Sequence, residues 1–317
     1  MSRAVTVQHR NPEAAEVFVF AHPATSYENH FLTEALVSEG VGVLNVDGRF
    51  VGEPHDLNFE DAALDIAQAI DDHAAKARKV ILTGHSGGGP LMTLTHVRLG
   101  VGDGLVLLAA HPSRGHILEA WIDPCLREDG TRDPALDLYR PRALPLDPEF
   151  VQRYRRAQRR RMARLADEAA RYLRRGQPEA RVAFPHACAD PRFIDATLDP
   201  NGRDLAAFPF GDPADANQRP DFFGGWVTAR SFLNQWYVPT TPANGPALAP
   251  HVRVPTLHIS FGADGIVFPS QTTLYAERLP AAQTEVETLV DARHNPRSQP
   301  ELLGPLAGRL SAWARAL

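Results

Sequence analysis

Thr83-Gly84-His85-Ser86-Gly87-Gly88-Gly89-Pro90 follows the continuous apolar run Val80-Ile81-Leu82 and precedes a helical pattern. A serine with a glycine two residues to either side, set between a strand and a helix, marks a nucleophile elbow. The reason is steric. The chain reverses so sharply that the serine is held in strained backbone geometry, and a Cβ two residues away on either side would crowd the neighbouring strand or helix. Such a turn presents the Ser86 hydroxyl at the carboxyl edge of a sheet, with the Gly87 N–H and a helix N-terminus behind it.

Outward from this stretch, strands and helices alternate. Val5 and Val7 alternate with Thr6 and Gln8 as an exposed opening strand. Residues 16–21 and 41–46 are apolar without alternation, as strands covered on both faces are. Between them a helix containing Phe31, Leu32, Ala35 and Leu36 stops at Gly40. Asn58, with Asp61 three residues on, opens a helix that keeps Leu64, Ala67, Ile70 and Ala74 at helical spacing. The helix after the elbow runs from about 88 to 99, and 104–110 is another buried strand. This order requires a parallel sheet with right-handed crossovers.

From about 112 to 253 the rhythm breaks. A proline- and aspartate-rich connection leads to an arginine-dense helix at about 148–175, then to a loop-rich tract holding Phe208, Phe210, Phe222, Phe223, Trp226, Phe232, Trp236 and Tyr237. Strands at 255–261 and 284–290 then resume, with a helix at 270–279 and a last one opening at Pro300. The expected fold class is α/β: a mostly parallel, doubly wound sheet. Its core domain is 1–111 and 254–317, interrupted at 112–253 by a mainly helical cap without a sheet of its own.

Composition narrows the partners. A net charge of −5 argues against general nucleic-acid binding, which needs a basic face. No apolar run reaches membrane-spanning length and the start lacks an apolar leader, so a cytoplasmic protein with a small-molecule substrate is expected. Cys125 and Cys188 make no disulfide framework, though a single bridge between them is open. No H-E-x-x-H or C-x-x-C is present, and neither metal nor cofactor is expected. The arginine-dense helix reads as a solvated face with Glu149, Asp167 and Glu168 as partial partners; an anionic substrate or coenzyme A is the alternative. Oligomeric state is not legible.

Ser86 needs a base, and the base needs an orienting acid. The order Ser…Asp…His arises when these groups sit on loops after successive strands. Asp264, in Phe261-Gly262-Ala263-Asp264, lies just past one late strand, and His294, in Asp291-Ala292-Arg293-His294, just past the last. Asp291 is a rival acid with poor reach on the same loop. His85 is expected to pack under the elbow rather than act as base.

Gly84-His85-Ser86-Gly87-Gly88, Gly262-Ala263-Asp264 and His294 together resemble the α/β-hydrolase superfamily, end to end. The resemblance implies a serine hydrolase with a mobile lid over a pocket, and an oxyanion hole formed by two amides. One is that of Gly87. The family's His-Gly-x is here His22-Pro23-Ala24, so Ala24 would supply the other, with the Thr25 or Ser26 hydroxyl as a supplement. His111, Trp226 and Trp236 are the candidate substrate contacts. The expected reaction is cleavage of a carboxylic ester or lactone with an apolar or aromatic part. Carbon–carbon bond hydrolysis and acyl transfer share the same three residues, and a non-hydrolytic binding protein, lyase or cyclase is the alternative outside that chemistry.

Overall fold

The computed structural model describes residues 4–127 and 129–317. Its central sheet has seven strands in the order β1-β3-β2-β4-β5-β8-β9. They are β1 (Thr6–Arg10), β2 (Glu16–Ala21), β3 (Gly42–Asp47), β4 (Lys79–His85), β5 (Gly104–Leu108), β8 (Thr256–Phe261) and β9 (Thr284–Leu289). All pair in parallel except the opening β1, which runs antiparallel to β3 at the edge. The fold is therefore the α/β-hydrolase type, a mostly parallel doubly wound sheet with a helical insert.

Two cores form because successive side chains of a strand point to opposite faces. On β2, Val17, Val19 and Ala21 face one layer while Phe18 and Phe20 face the other. The first layer is closed by α2 (Phe59–His73) and α3 (Gly88–Leu99), the second by α1 (Thr33–Ser38) and α10 (Pro300–Ala316). Asn58 caps α2, its side chain accepting the Asp61 amide at 3.0 Å. Gly100, at φ +70°, ends α3. Phe31 and Leu32 precede α1 instead of lying within it; the helix starts only at Thr33, where the His30 carbonyl accepts the Thr33 amide.

Between β5 and β8 lie α4 (Arg114–Trp121), the long α5 (Pro148–Arg174), and the short α6 (Pro213–Gln218), α7 (Ala229–Ser231) and α8 (Gly245–Leu248); α9 (Pro269–Ala276) follows β8. Helix α5 is amphipathic, burying Tyr154, Gln158, Met162 and Leu165, and its Arg155 pairs with the buried Asp190 at 2.6 Å. The insert is not free of strands: β6 (Arg181–Ala183) pairs antiparallel with β7 (Trp226–Thr228). At three residues each, Arg-Val-Ala and Trp-Val-Thr are too short to carry an alternation signal, although both central valines are buried. The insert's core also takes in Ile266, Val267 and Phe268 from the loop after β8. No described helix is long and apolar enough to cross a membrane.

The turn after β4 shows why its glycines are required. Ser86 sits at φ +55°, a left-handed conformation that a side-chain-bearing residue adopts only when its surroundings over-determine it. A Cβ on Gly84 would lie 2.5 Å from the Gly89 Cα and 2.6 Å from the Gly88 carbonyl. One on Gly88 would meet the Ala21 carbonyl oxygen at 2.4 Å, and one on Gly89 the Ala110 Cβ at 2.4 Å.

Gly84→Ala is expected to lower the melting temperature by several degrees and to slow labelling of Ser86 by a fluorophosphonate at least tenfold, because backbone must move. Gly304→Ala is the control: it has nothing within 4 Å, and helix propensity there favours alanine by about 1 kcal/mol. Equal melting of the two variants would refute this account of the turn.

A second expectation concerns His258 on β8, buried, with neither ring nitrogen hydrogen-bonded among the described residues, and pushed by burial down to about 4. The folded state then binds fewer protons than the unfolded one between the ordinary 6.5 and about 4, so stability is full above that window and falls as pH drops through it. At 1.36 kcal/mol per pKa unit the full loss is roughly 3 kcal/mol. His258→Leu should therefore raise the urea midpoint more at pH 5 than at pH 7.5. An equal change at both values would show that His258 does not titrate with folding.

Candidate active site

Strands β2, β4 and β5 carry the loops of His22, Ser86 and His111 to one edge of the sheet, where strand order reverses between β2 and β4. Open α/β sheets place their ligands at such a point. Asp264 and His294 arrive there from the ends of β8 and β9.

The structure brings Ser86, His294 and Asp264 into one hydrogen-bonded line. His294 Nε2 lies 2.9 Å from Ser86 Oγ, and its Nδ1 lies 2.7 Å from Asp264 Oδ2. Asp264 is fully buried, and its other oxygen accepts the Ile266 and Val267 amides at 2.7 and 2.9 Å, which stops the carboxylate from rotating. Asn201, from the insert, donates to the Asp264 carbonyl at 2.8 Å. Asp291 is exposed, and its carbonyl accepts the Gln299 amide.

His85 holds the loop of His294. Burial pushes it down to about 3, so it is neutral, and its Nε2 donates to the His294 carbonyl at 2.8 Å. The Tyr27 hydroxyl in turn donates to the His85 carbonyl at 2.9 Å. His116 instead pairs with Ser113 Oγ at 2.7 Å, at the start of α4.

The Ala24 amide does not point at the expected oxyanion position. It and the Thr25 amide both donate to His22 Nδ1, at 3.1 and 2.9 Å. With no N–H on Pro23, the turn closes back onto the histidine ring. A ring nitrogen that accepts N–H bonds carries no proton, so the His22 proton resides on Nε2. Burial, with Arg114 and neighbouring histidines adding, holds His22 well below the usual histidine range and therefore neutral. A Cβ built on Gly87 would lie 2.7 Å from His22 Nε2 and 3.1 Å from His111 Nε2. The space beside Gly87 is thus faced by two imidazoles, and only the absent side chain keeps it open.

A cavity of about 710 Å³ opens over Ser86. His111 and Trp236, both expected as substrate contacts, line it; Trp226 does not. The Trp226 ring is stacked on His55 at 4.1 Å with the Arg181 guanidinium 4.1 Å away, pinning β7 to the loop after β3. The wall contains two residues that no sequence pattern singled out. Trp121 stacks with Phe223 at 5.2 Å, and Arg114 lies over the Trp236 ring at 4.0 Å. Both belong to α4, ahead of the aromatic-rich tract, and their only signal is position just after a strand on the active edge. Among the described residues no three His, Cys, Asp or Glu side chains are grouped to hold a metal ion, and Cys125 and Cys188 are free.

Residues 18–304 match the model of the Alpha/beta hydrolase family. Among solved structures, a monoacylglycerol lipase from Paleococcus ferrophilus superposes with a TM-score of 0.53 at 15% identity, covering 98% of each chain. A variant of the meta-cleavage product hydrolase CumD superposes with a TM-score of 0.51 at 16% identity, over 99% of this chain and 95% of that one. At these identities the likeness is one of fold. No protein of curated function matches the sequence. Sheet order, elbow and the family match over most of the length lead to one assignment: the chain belongs to the alpha/beta hydrolase family.

Proposed function

We propose that the protein is a serine hydrolase that cleaves a carboxylic ester or lactone through an acyl-enzyme. The observation that carries this reading is the hydrogen-bonded line from Asp264 through His294 to Ser86. His294 Nε2 takes the Ser86 proton as Oγ attacks the acyl carbon, and Asp264 holds the imidazole in the tautomer with its proton on Nδ1. The carbonyl oxygen becomes an oxyanion. His294 then gives its proton to the departing alkoxide as the C–O bond breaks. A water, deprotonated by the same nitrogen, attacks the acyl-enzyme, and Ser86 leaves with that proton.

Two donors are proposed for the oxyanion: the Gly87 amide and the Nε2–H of His22. His22 takes the place foreseen for Ala24, whose N–H is engaged with Nδ1 of the same ring. A neutral, desolvated N–H aimed at developing charge stabilises it strongly, because it needs no reorganisation when the charge appears. The apolar walls formed by Ile117, Trp121, Phe223 and Trp236 support a substrate with an aromatic or aliphatic part. Residues 112–253 are proposed as a cap domain on a core of 1–111 and 254–317.

Purified protein with a series of p-nitrophenyl esters and a fluorophosphonate tests the reading. Turnover and stoichiometric labelling of Ser86 are expected, with both lost in Ser86→Ala. His294→Ala should abolish turnover while leaving melting nearly unchanged. Labelling without ester turnover would point to carbon–carbon cleavage or acyl transfer, and absence of labelling would remove the serine mechanism. For the oxyanion donor, His22→Phe should lower kcat on the order of 100-fold or more with KM within about twofold, and His22→Gln should recover part of it. A change confined to KM would exclude His22 from transition-state stabilisation.

A further inference from the structure

Arg114 is the first residue of α4, in the wall of the cavity over Ser86. It is 8% exposed, yet it has no salt bridge among the described residues. Among the described residues its buried Nε has no hydrogen-bond partner, and no acceptor is bonded to its terminal nitrogens. Burial alone pushes it down to about 9, with no carboxylate near enough to offset the loss of water, so at neutral pH it is still a cation. The surrounding charges make matters worse. His22 and His111 are both held further from protonation by this guanidinium, and a cation at a helix N-terminus opposes the helix dipole.

The cavity lining offers no anion to compensate. Its lining holds two arginines, Arg114 and Arg297, and not one aspartate or glutamate. Asp264 is turned away, with its oxygens engaged by His294 and two amides. Arg297, at the rim, already donates to the Asn29 carbonyl. What holds Arg114 in place is packing: its guanidinium lies over the Trp236 ring, and Gly115 allows α4 this close, since a Cβ there would be 2.9 Å from the Val238 amide nitrogen and 3.1 Å from the Trp236 carbonyl oxygen. A buried, unpaired charge is among the most destabilising features a folded chain can carry.

We infer that Arg114 is a substrate-recognition residue that receives a carboxylate, so that the preferred substrate of the proposed hydrolase is an ester bearing a free carboxylate on the part that lies against Trp236. A planar guanidinium fixed on an aromatic face is pre-organised for a two-pronged bond to a carboxylate. The bond is favoured in this site because no aspartate or glutamate of the lining competes for the guanidinium. The inference names the substrate class and rests on the esterase reading only for turnover, since the anion site exists whether or not Ser86 reacts.

The test separates the two. Mono-4-nitrophenyl glutarate is compared with 4-nitrophenyl pentanoate, and the butyrate ester of 4-hydroxybenzoate with that of 4-cresol, so that the carboxylate is offered on either side of the ester. In the wild type the kcat/KM ratio, carboxylated over neutral, should exceed tenfold for one of the pairs. In Arg114→Met that ratio should fall to near one or below, with Arg114→Lys in between. Binding is read independently by calorimetry in Ser86→Ala, where 4-phenylbutyrate should bind at least tenfold more tightly than 4-phenylbutanamide, and the difference should vanish in Ser86→Ala/Arg114→Met. Arg114→Met should melt no lower than the wild type, which excludes misfolding as the cause. A carboxylate preference in binding without turnover of any ester would keep the anion site and sink the hydrolase reading. No preference in the wild type, a preference that survives in Arg114→Met, or an equal loss of rate on charged and neutral esters would overturn the inference.

Discussion

The structure depends on how closely the turn at 84–89 packs against its neighbours. Three positions without a Cβ let the chain leave β4, reverse at Ser86 with φ +55°, and enter α3 while touching the Ala21 carbonyl of β2 and the Ala110 Cβ after β5. That contact ties three strands together at one rim. It also fixes where the loops beyond Ala21 and Ala110 begin, and so where His22 and His111 can reach. Both Nε2 atoms converge over Gly87, in the space that a side chain there would fill. The same rim receives Asp264 and His294 from the far side of the sheet, through the parallel pairing of β5 with β8 and of β8 with β9. Reactive geometry here is a consequence of strand order and of missing methyl groups.

Much of the fold was legible because parallel strands covered on both faces leave unbroken runs of β-branched and aromatic or leucine residues, such as Val17-Phe18-Val19-Phe20 and Leu105-Val106-Leu107-Leu108, bounded by turn residues. Ser86, Asp264 and His294 were legible for a related reason: each follows a readable strand, and the sheet brings its carboxyl ends together. The insert was less legible. Its β6–β7 ribbon is held by two buried valines and by contacts from Trp226 to His55 and Arg181, none of which leaves a period in the sequence. Trp226 and Trp236 looked alike along the chain. Trp236 faces the cavity while Trp226, at the start of β7, stacks on His55, and the strand and helical turns between them carry the two rings to different surroundings. Arg114 was hidden by its type: an arginine is normally exposed, and the burial of this one follows from tertiary packing that leaves no period in the sequence.

The loop at 22–25 shows the same limit at atomic scale. A proline after His22 reads as the loss of a backbone donor, which is correct as far as the backbone goes. The structure shows what the chain does with the freed geometry: the next two amides fold onto Nδ1 and thereby commit the ring's proton to Nε2. A side-chain donor set by backbone hydrogen bonds is as rigid as a backbone donor, and rigidity rather than donor type governs how well developing charge is stabilised. Sequence reasoning counts N–H groups; it does not see a ring locked by them.

The side of the cavity that bears Trp236 is not a loosely hinged flap. Residues 54–59 hold it through the Gln235 amide on the Pro54 carbonyl at 2.9 Å, Ser231 Oγ on the Leu57 carbonyl at 2.7 Å, and Asn234 Oδ1 accepting the Phe59 amide at 2.8 Å, with Arg230 and Thr228 both on Asp56. These partners lie on the connection between β3 and α2 and on the first residue of α2, which packs against the sheet. The Arg114–Trp236 contact is thereby referred to the same frame as Ser86. A guanidinium on a mobile segment would relax toward solvent and lose its desolvated charge; here packing at Gly115 and anchoring at 54–59 deny it that escape. Burying Arg114 costs stability, and the close packing at Gly115 together with the hydrogen bonds to 54–59 holds it in that position. A fixed cation at a set position from a nucleophile measures the length of a substrate as well as its charge. Discrimination by such a site should then depend on the number of carbons between carboxylate and ester, a dependence that a flexible or solvated arginine could not impose.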